Sequence, residues 1–229
     1  MLVRMADLNI RIENKHAYIP QLCRKYIVES GEADFSVSAS AAEILAETGA
    51  EKAPGYAESL AVYRKIAEEM PRFSGFLMHG AVIETDGCGI AFLARSGEGK
   101  STHVGLWQKL LGDRVQVIQG DKPLVRVLGG AAYAYGTPWA GKEGLEQNRR
   151  TKLGAVCFLS RGAENSIAPC PKTEALWSLM PQIYMPKGGE AFARALTHID
   201  TFISSTSFYY LKCNMEIGAA ELVYKTILQ

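Results

Sequence analysis

The chain has 229 residues, 48% of them hydrophobic, and a formal charge of +1. That is apolar material for one large domain, or a catalytic domain with a small appendage, and the near-neutral balance supplies no field to draw it to nucleic acid or anionic lipid. The longest apolar runs, such as Leu153 to Leu159, are strand-sized and too short to span a bilayer, and Met1 to Ile12 lacks a signal-peptide core, so the expectation is a cytoplasmic protein with neither a nucleic-acid nor a membrane partner.

Residues 1 to 74 read as a small α+β element. "DLNIRIE" and "DFSVSAS" alternate with period two as short strands. "SAAEILAETG" carries a helix N-cap at Ser40, Glu43 three residues on, and Gly49 to close it. "PGYAESLAVYRKIAEEM" sets Leu60, Tyr63, Ile66, Ala67 and Met70 on one helical face, and Pro71 stops it.

Residues 75 to 229 read as a second, larger domain of strands and helices. Two apolar runs joined by Asp86-Gly87 predict a hairpin. Its second strand feeds "ARSGEGKS", and a helix follows from Ser101 to Leu111, with Val104, Trp107 and Leu111 on one seam and Gly112 at its end. "RVQVIQGD" is a strand ending in Asp121, "PLVRVLGGAAYAYG" a second hairpin turning at Gly129-Gly130, and "TPWAGKEGLEQNRRTK" a polar loop. A buried strand "LGAVCFLS" follows, then helices near 173–184 and 189–203, a strand "FYYLKC" and a last helix. The five cysteines are scattered and never form a Cys-x-x-Cys pair, which argues against a disulfide framework or zinc ribbon. Cys157 reads as a small buried hydrophobe. The expected class is α/β, and the hairpins make the sheet mixed.

The chemistry concentrates at Ser96, Gly97, Glu98, Gly99, Lys100, Ser101 and Thr102, a phosphate-loop pattern with Ala94 where glycine is usual. Gly97 and Gly99 let the backbone close around a phosphate, and the amides of the following helix meet its charge. Lys100 supplies a mobile cation for the outer phosphates, and Ser101 offers a hydroxyl to Mg²⁺. Asp121, at its strand end, suits either a water-mediated metal contact or a proton acceptor. The alternatives are a glycine-rich turn that only caps a helix and an aspartate that only caps a turn. The chain has no Asn-Lys-x-Asp guanine reader, which excludes an ordinary GTPase.

The hairpin, "SGEGKSTH", "LWQKLLGDRVQVIQGDKPLVRV" and "YGTPWAGKEG" together resemble the HPr kinase/phosphorylase-like family over about residues 75–215, and within it a bacterial branch with an Asp-Lys-Pro and a Gly-Thr-Pro-Trp-x-Gly-Lys signature. The resemblance implies a mixed sheet of the phosphoenolpyruvate-carboxykinase phosphate-loop type. It also implies an ATP- and Mg²⁺-dependent kinase transferring the γ-phosphoryl group to a hydroxyl on a small molecule, a peptide or a seryl side chain. Two other uses of such a site are a nucleotide sensor without transfer and a seryl-protein phosphorylase. The motif maps phosphate and metal binding onto Gly97, Gly99, Lys100 and Ser101, and the acid onto Asp121, with Ser101 and Asp121 as metal ligands. Where the family has two adjacent acids, this chain reads Gly120-Asp121-Lys122. Either Lys122 replaces the second acid or Gly120 replaces the first.

On the substrate side, Lys142 is set to reach the γ-phosphate from a flexible loop, and Arg149 or Arg150 to clamp an anion, with Asn148 beside them. His79 precedes the hairpin, where an imidazole either faces the phosphate site or packs structurally. Trp139 is a candidate to stack on adenine or acceptor. His103 reads as structural packing.

Overall fold

The computed structural model describes residues 1–48 and 53–229. Leu2–Met5 (β1) and Leu8–Glu13 (β2) form a hairpin turning at Ala6-Asp7, and β2 pairs in parallel with Phe35–Ser38 (β3). Between β2 and β3 lies a one-turn helix, Tyr18–Leu22 (α1). The period-two pattern anticipates β2 and β3. It misses β1, where Leu2 and Val3 are both buried and break the alternation, and α1, a single turn of five residues.

Ala41–Thr48 (α2) starts with the expected reciprocal cap: the Glu43 N–H donates to Ser40 Oγ at 3.2 Å, and the Ser40 N–H to Glu43 Oε2 at 2.9 Å. Gly49, expected to close this helix, lies outside the described residues. Pro54–Glu69 (α3) buries Tyr63, Ile66 and Ala67, and Met70 follows them into the core. Pro71 ends the α-helix in a single 3-10 turn, Met70–Phe73. The same helix buries a carboxylate. Glu58 is wholly inaccessible and accepts from the Lys15 N–H at 2.6 Å and the His16 N–H at 2.9 Å, with His16 Nδ1 at 3.0 Å, so it fastens the segment leading into α1 onto α3. Glu58→Ala is expected to leave both amides unpaired and to cost about 2–4 kcal/mol, read as a lower urea midpoint at unchanged slope.

The larger sheet holds Gly75–Leu77 (β4), Ala81–Thr85 (β5), Cys88–Leu93 (β6), Gln116–Gln119 (β7), Leu124–Leu128 (β8), Ala131–Tyr135 (β9), Arg150–Arg161 (β10), Ser166–Pro169 (β11) and Ser207–Cys213 (β12). Its main path runs β4-β8-β9-β10-β6-β5-β7, with β12 also on β10 and β11 on β12. β10 is parallel to β6 and β12, and every other pairing in this sheet is antiparallel. Both expected hairpins form, at Asp86-Gly87 and Gly129-Gly130. β10 begins at Arg150 rather than Leu153, because its first residues, polar in sequence, pair with β9. The stretch expected to be a polar loop is buried from Thr137 to Ala140.

Lys100–Leu111 (α4) and Gly218–Leu228 (α7) pack together over one hydrophobic cluster, with Trp107 and Cys157 fully buried in it. Lys172–Leu179 (α5) and Gly189–Ser205 (α6) cover a second cluster. The helix expected over 173–184 is shorter because Pro181 falls in a 3-10 turn at Met180–Gln182. A third cluster joins the small sheet and α3 to Leu124, Tyr135 and Trp139 of the larger one. Arg126 donates to the Ala6 carbonyl at 2.8 Å and Tyr135 to Asp7 at 2.7 Å, so the small sheet is tied down beside the larger. Among the described residues, no helix is long and apolar enough to cross a membrane.

Candidate active site

The strand β6 runs out into Ala94, and the chain turns through Ser96 to Gly99 before α4 begins at Lys100. Gly97 and Gly99 have φ of 83° and 109°, a region that favours glycine, and a side chain at either would point into open space. That opening is a cleft of about 720 Å³, within the range of a single-ligand site. Ser96, Gly97, Gly99, Lys100, Ser101 and Thr102 line one side of it. Glu98 does not; it turns away toward a neighbouring recess, and its amide is spent on the Arg95 carbonyl at 3.2 Å.

Lys100 is only 8% exposed. Its ammonium donates to the Ala94 carbonyl at 2.9 Å and lies 3.5 Å from that of Arg95. Burial pushes its pKa down, opposed by the charges of Asp121 and Glu98.

Asp121 stands across the cleft, just past the end of β7. His79 Nε2 is 3.3 Å from its Oδ1, and Lys122 Nζ is 3.5 Å from its Oδ2. Burial alone raises the Asp121 pKa, but His79 and Lys122 together outweigh it and hold the carboxyl below its usual range. The His79 ring is oriented from behind, with Nδ1 3.1 Å from Gln182 Oε1.

A buried polar network fixes the chain on either side of Asp121. Gln119 Nε2 donates to Thr137 Oγ1 at 2.6 Å and to the Thr137 carbonyl at 3.1 Å. Thr137 Oγ1 and Tyr63 OH both donate to the Lys122 carbonyl, at 2.9 and 2.6 Å. Gln119 and Thr137 are wholly buried. This explains Gly120 as well: a Cβ there would sit 2.9 Å from the Ala140 carbonyl, so the crossing loop leaves no room for an acid. Asp121 is therefore the one carboxylate of the Gly-Asp-Lys triplet.

The loop after β9 brings Lys142 to the cleft, and a Cβ at Gly141 would be 3.0 Å from that of Asp121, so the loop lies directly on the acid. Trp139 also lines the cleft, but one face is covered by Tyr63, with ring centres 4.0 Å apart and planes 5° from parallel. Its indole N–H donates to the Ser59 carbonyl at 3.1 Å. It braces the wall instead of offering an open ring to adenine or acceptor.

Asn148, Arg149 and Arg150 do not line the cleft, so the expected anion clamp is not formed by them. Asn148 contacts the Arg4 and Lys25 carbonyls, Arg149 pairs with Glu84 at 2.5 Å, and Arg150 pairs with Asp7 at 2.7 Å and lies over the Tyr133 ring. Their charges are used where β10 begins. The arginine that does reach the cleft is Arg161, at the far end of β10, donating to the Gly97 carbonyl. No local motif marked it, since only the parallel β6–β10 pairing sets it beside the loop.

Beside the cleft lies a second recess of about 270 Å³, with Gly99, Thr102 and Arg161 common to both and Leu159, Cys213 and Met215 as its apolar side. His103 borders it, 2% exposed. Trp107 donates to its Nε2 at 3.1 Å, so the neutral ring carries its proton on Nδ1, which has no hydrogen-bond partner among the described residues. Burial lowers the His103 pKa to about 4. The unfolded chain binds a proton here near pH 6.5 that the folded one refuses, so stability is full above that value and declines as pH falls toward 4, by about 3 kcal/mol. Urea midpoints at pH 7.5 and 4.5 are expected to fall less in His103→Gln than in wild type. Among the described residues, no three His, Cys, Asp or Glu side chains gather as a metal cluster.

No protein-family model and no curated protein matches the chain. Among solved structures, a similar one is the HPr(Ser) kinase/phosphatase from Coxiella burnetii, at 9% identity and a TM-score of 0.38 over 66% of this chain and 95% of that one. It is a distant structural likeness, too low in TM-score to bear on residues or activity.

Proposed function

We propose that the protein is a phosphotransferase that uses ATP and Mg²⁺ to phosphorylate a hydroxyl. The observation that carries this reading is the meeting, in one cleft, of a glycine loop with a buried lysine and a carboxylate, Asp121, held by a histidine. The α4 amides and Lys100 would take the outer phosphates, with Lys100 exchanging the Ala94 and Arg95 carbonyls for phosphate oxygens. Arg161, which donates to the Gly97 carbonyl, and Lys142, on the loop beside Asp121, add positive charge to the cleft. The apolar recess beyond Thr102 suits the base, since Thr102 borders both spaces.

Ser101 and Asp121 would hold the Mg²⁺, which when bound neutralises phosphate oxygens. The donors fit: both are oxygens, as this ion prefers. The His79 and Lys122 contacts, at 3.3 and 3.5 Å, are long for charge-assisted hydrogen bonds and leave carboxylate lone pairs open. In transfer, the acceptor oxygen bonds to the γ-phosphorus as the β,γ-bridge bond breaks, ADP leaves, and the acceptor proton passes to Asp121.

A second reading, nucleotide sensing without transfer, draws on Lys122, whose cation stands where it weakens Asp121 as a base. The test is transfer of label from γ-labelled ATP into the small-molecule and protein fractions of a cytosolic extract. Mg²⁺-dependent label in either fraction is expected. ATP binding with no label in either supports the sensor, and no ATP binding removes both readings.

A further inference from the structure

We infer that the wall of the cleft facing the phosphate loop, built by Tyr18 and Leu22 of α1 and Tyr56 and Leu60 of α3, is the acceptor subsite, and that it takes an alcohol flanked by an aromatic group. This rests on the phosphotransferase reading above.

The loop, Asp121 and Lys142 serve the phosphates in that reading, and residues 1–74 contribute to them through Tyr63, which holds the Lys122 carbonyl. Beyond that contact, two helices of that segment, α1 and α3, each turn an i, i+4 pair into the same cleft: Tyr18 with Leu22, and Tyr56 with Leu60. Such spacing ordinarily buries its apolar side chains. Here Tyr18 stays 39% and Tyr56 38% exposed, while the two leucines are half-buried. The two tyrosines meet edge to face at 6.0 Å.

The wall is built in advance of any ligand. Glu58 locks the start of α1 onto α3 through the Lys15 and His16 amides. At Gly55, a Cβ would lie 2.8 Å from the Cβ of Tyr18, so the first turn of α3 can approach the ring only as glycine. None of these four residues is charged, whereas the charged residues that line the cleft, Lys100, Asp121, Lys122, Lys142, Glu143 and Arg161, all come from later in the chain. A group seated on the wall therefore meets two aromatic faces and two aliphatic side chains and no charge, which favours an uncharged, largely apolar ring.

The reacting end is fixed independently. The acceptor hydroxyl must sit between Asp121 and the phosphate at the loop, so what lies on the wall is the substituent next to that hydroxyl. A cleft of this volume suits one small ligand or one residue of an extended segment, beyond the phosphates it must also hold. The shared chemistry is a hydroxyl with a neighbouring aromatic ring, carried by a free alcohol or by a seryl side chain in a peptide.

The test is transfer from γ-labelled MgATP to two matched pairs: N-acetyl-seryl-phenylalaninamide against N-acetyl-seryl-glycinamide, and 2-phenylethanol against ethanol. The aromatic member of at least one pair is expected to be preferred about tenfold or more in kcat/KM, mostly through KM. The pair that shows it identifies the source. Tyr18→Ser and Leu60→Ser are expected to erase the preference, Tyr18→Phe to keep it, and all three to leave affinity for a fluorescent ATP analogue unchanged. Equal use of both members in both pairs, or a preference kept in both serine variants, overturns the inference. If no probe is phosphorylated, binding of the aromatic probes to protein saturated with a non-hydrolysable MgATP analogue decides it. Binding lost in Tyr18→Ser upholds the subsite, while the extract experiment decides the phosphotransferase reading separately; no binding, or binding kept in Tyr18→Ser, overturns the subsite.

Discussion

Lys100→Ala is expected to lower phosphoryl transfer by about 10²–10³-fold, the cost of removing one preorganised charge from a reacting phosphoryl group. The side chain is buried beneath the loop, and its ammonium is held by the Ala94 and Arg95 carbonyls. Those two carbonyls keep a cation in place without satisfying it as a phosphate would, so exchange onto a polyanion is favourable. Burial lowers the pKa of Lys100, and the cost of keeping it charged is offset by Asp121 and Glu98 and, in the complex, by phosphate. Lys100→Met separates charge from packing, because it keeps the stem and drops the ammonium; it should lose transfer as Lys100→Ala does while melting nearer to wild type. Lys100→Arg should not rescue, since a planar fork cannot occupy a point-charge site under a tight loop. Transfer rates measured beside nucleotide affinity decide the matter. Unchanged transfer in Lys100→Ala would remove the phosphate role of the loop.

How far this site was legible in the sequence depended on whether each feature was local. The loop and Asp121 were readable because glycine spacing and a strand ending in an acid are short-range signals, whereas Lys142 rested mostly on the motif resemblance and His79 stood open between the phosphate site and structural packing. The structure brings these four together in one cleft. Arg149 and Arg150 misled for the same reason: a basic pair looks like an anion clamp until strand pairing sets Glu84 and Asp7 beside it. Arg161, Tyr18 and Tyr56 were invisible because their places depend on β10 lying along β6 and on α1 lying across α3. The fold followed the same rule. Both hairpins and the capped helix α2 were legible, whereas β1, β11 and the burial of Thr137 to Ala140 needed partners distant in sequence. Gly120 is the clearest case. In the sequence it was one of two explanations for a missing acid; in the structure a Cβ there would sit 2.9 Å from the Ala140 carbonyl, so any side chain would have to displace the crossing loop.

Asp121→Asn is expected to reduce transfer by about 10²–10⁴-fold, the range for losing a positioned base, with nucleotide affinity much less affected. A carboxylate held below its usual pKa is a weak base, yet phosphoryl transfer asks little of one. In a loose transition state the acceptor oxygen becomes acidic only as its bond to phosphorus forms, so the proton leaves late and a weak, well-placed acceptor suffices. The pH dependence follows from the forces on the group. Asp121 must be ionised to act, and its lowered pKa keeps it so from neutrality down past the ordinary aspartate value of about 3.9. The acid limb of kcat/KM from this group therefore lies below that value. Burial pushes the pKa up, and His79 is the first force opposing it. In His79→Gln that burial is less opposed, so the Asp121 pKa rises and the acid limb moves to higher pH; Lys122→Ala shifts it the same way. Both variants make a stronger base, so the transfer that remains should hold or rise on the plateau while failing earlier in acid. A structural role for His79 predicts something else, a uniform loss at every pH with the limb unmoved. The pH–rate profiles of wild type and these two variants thus separate a histidine that tunes the proton acceptor from one that merely packs against it.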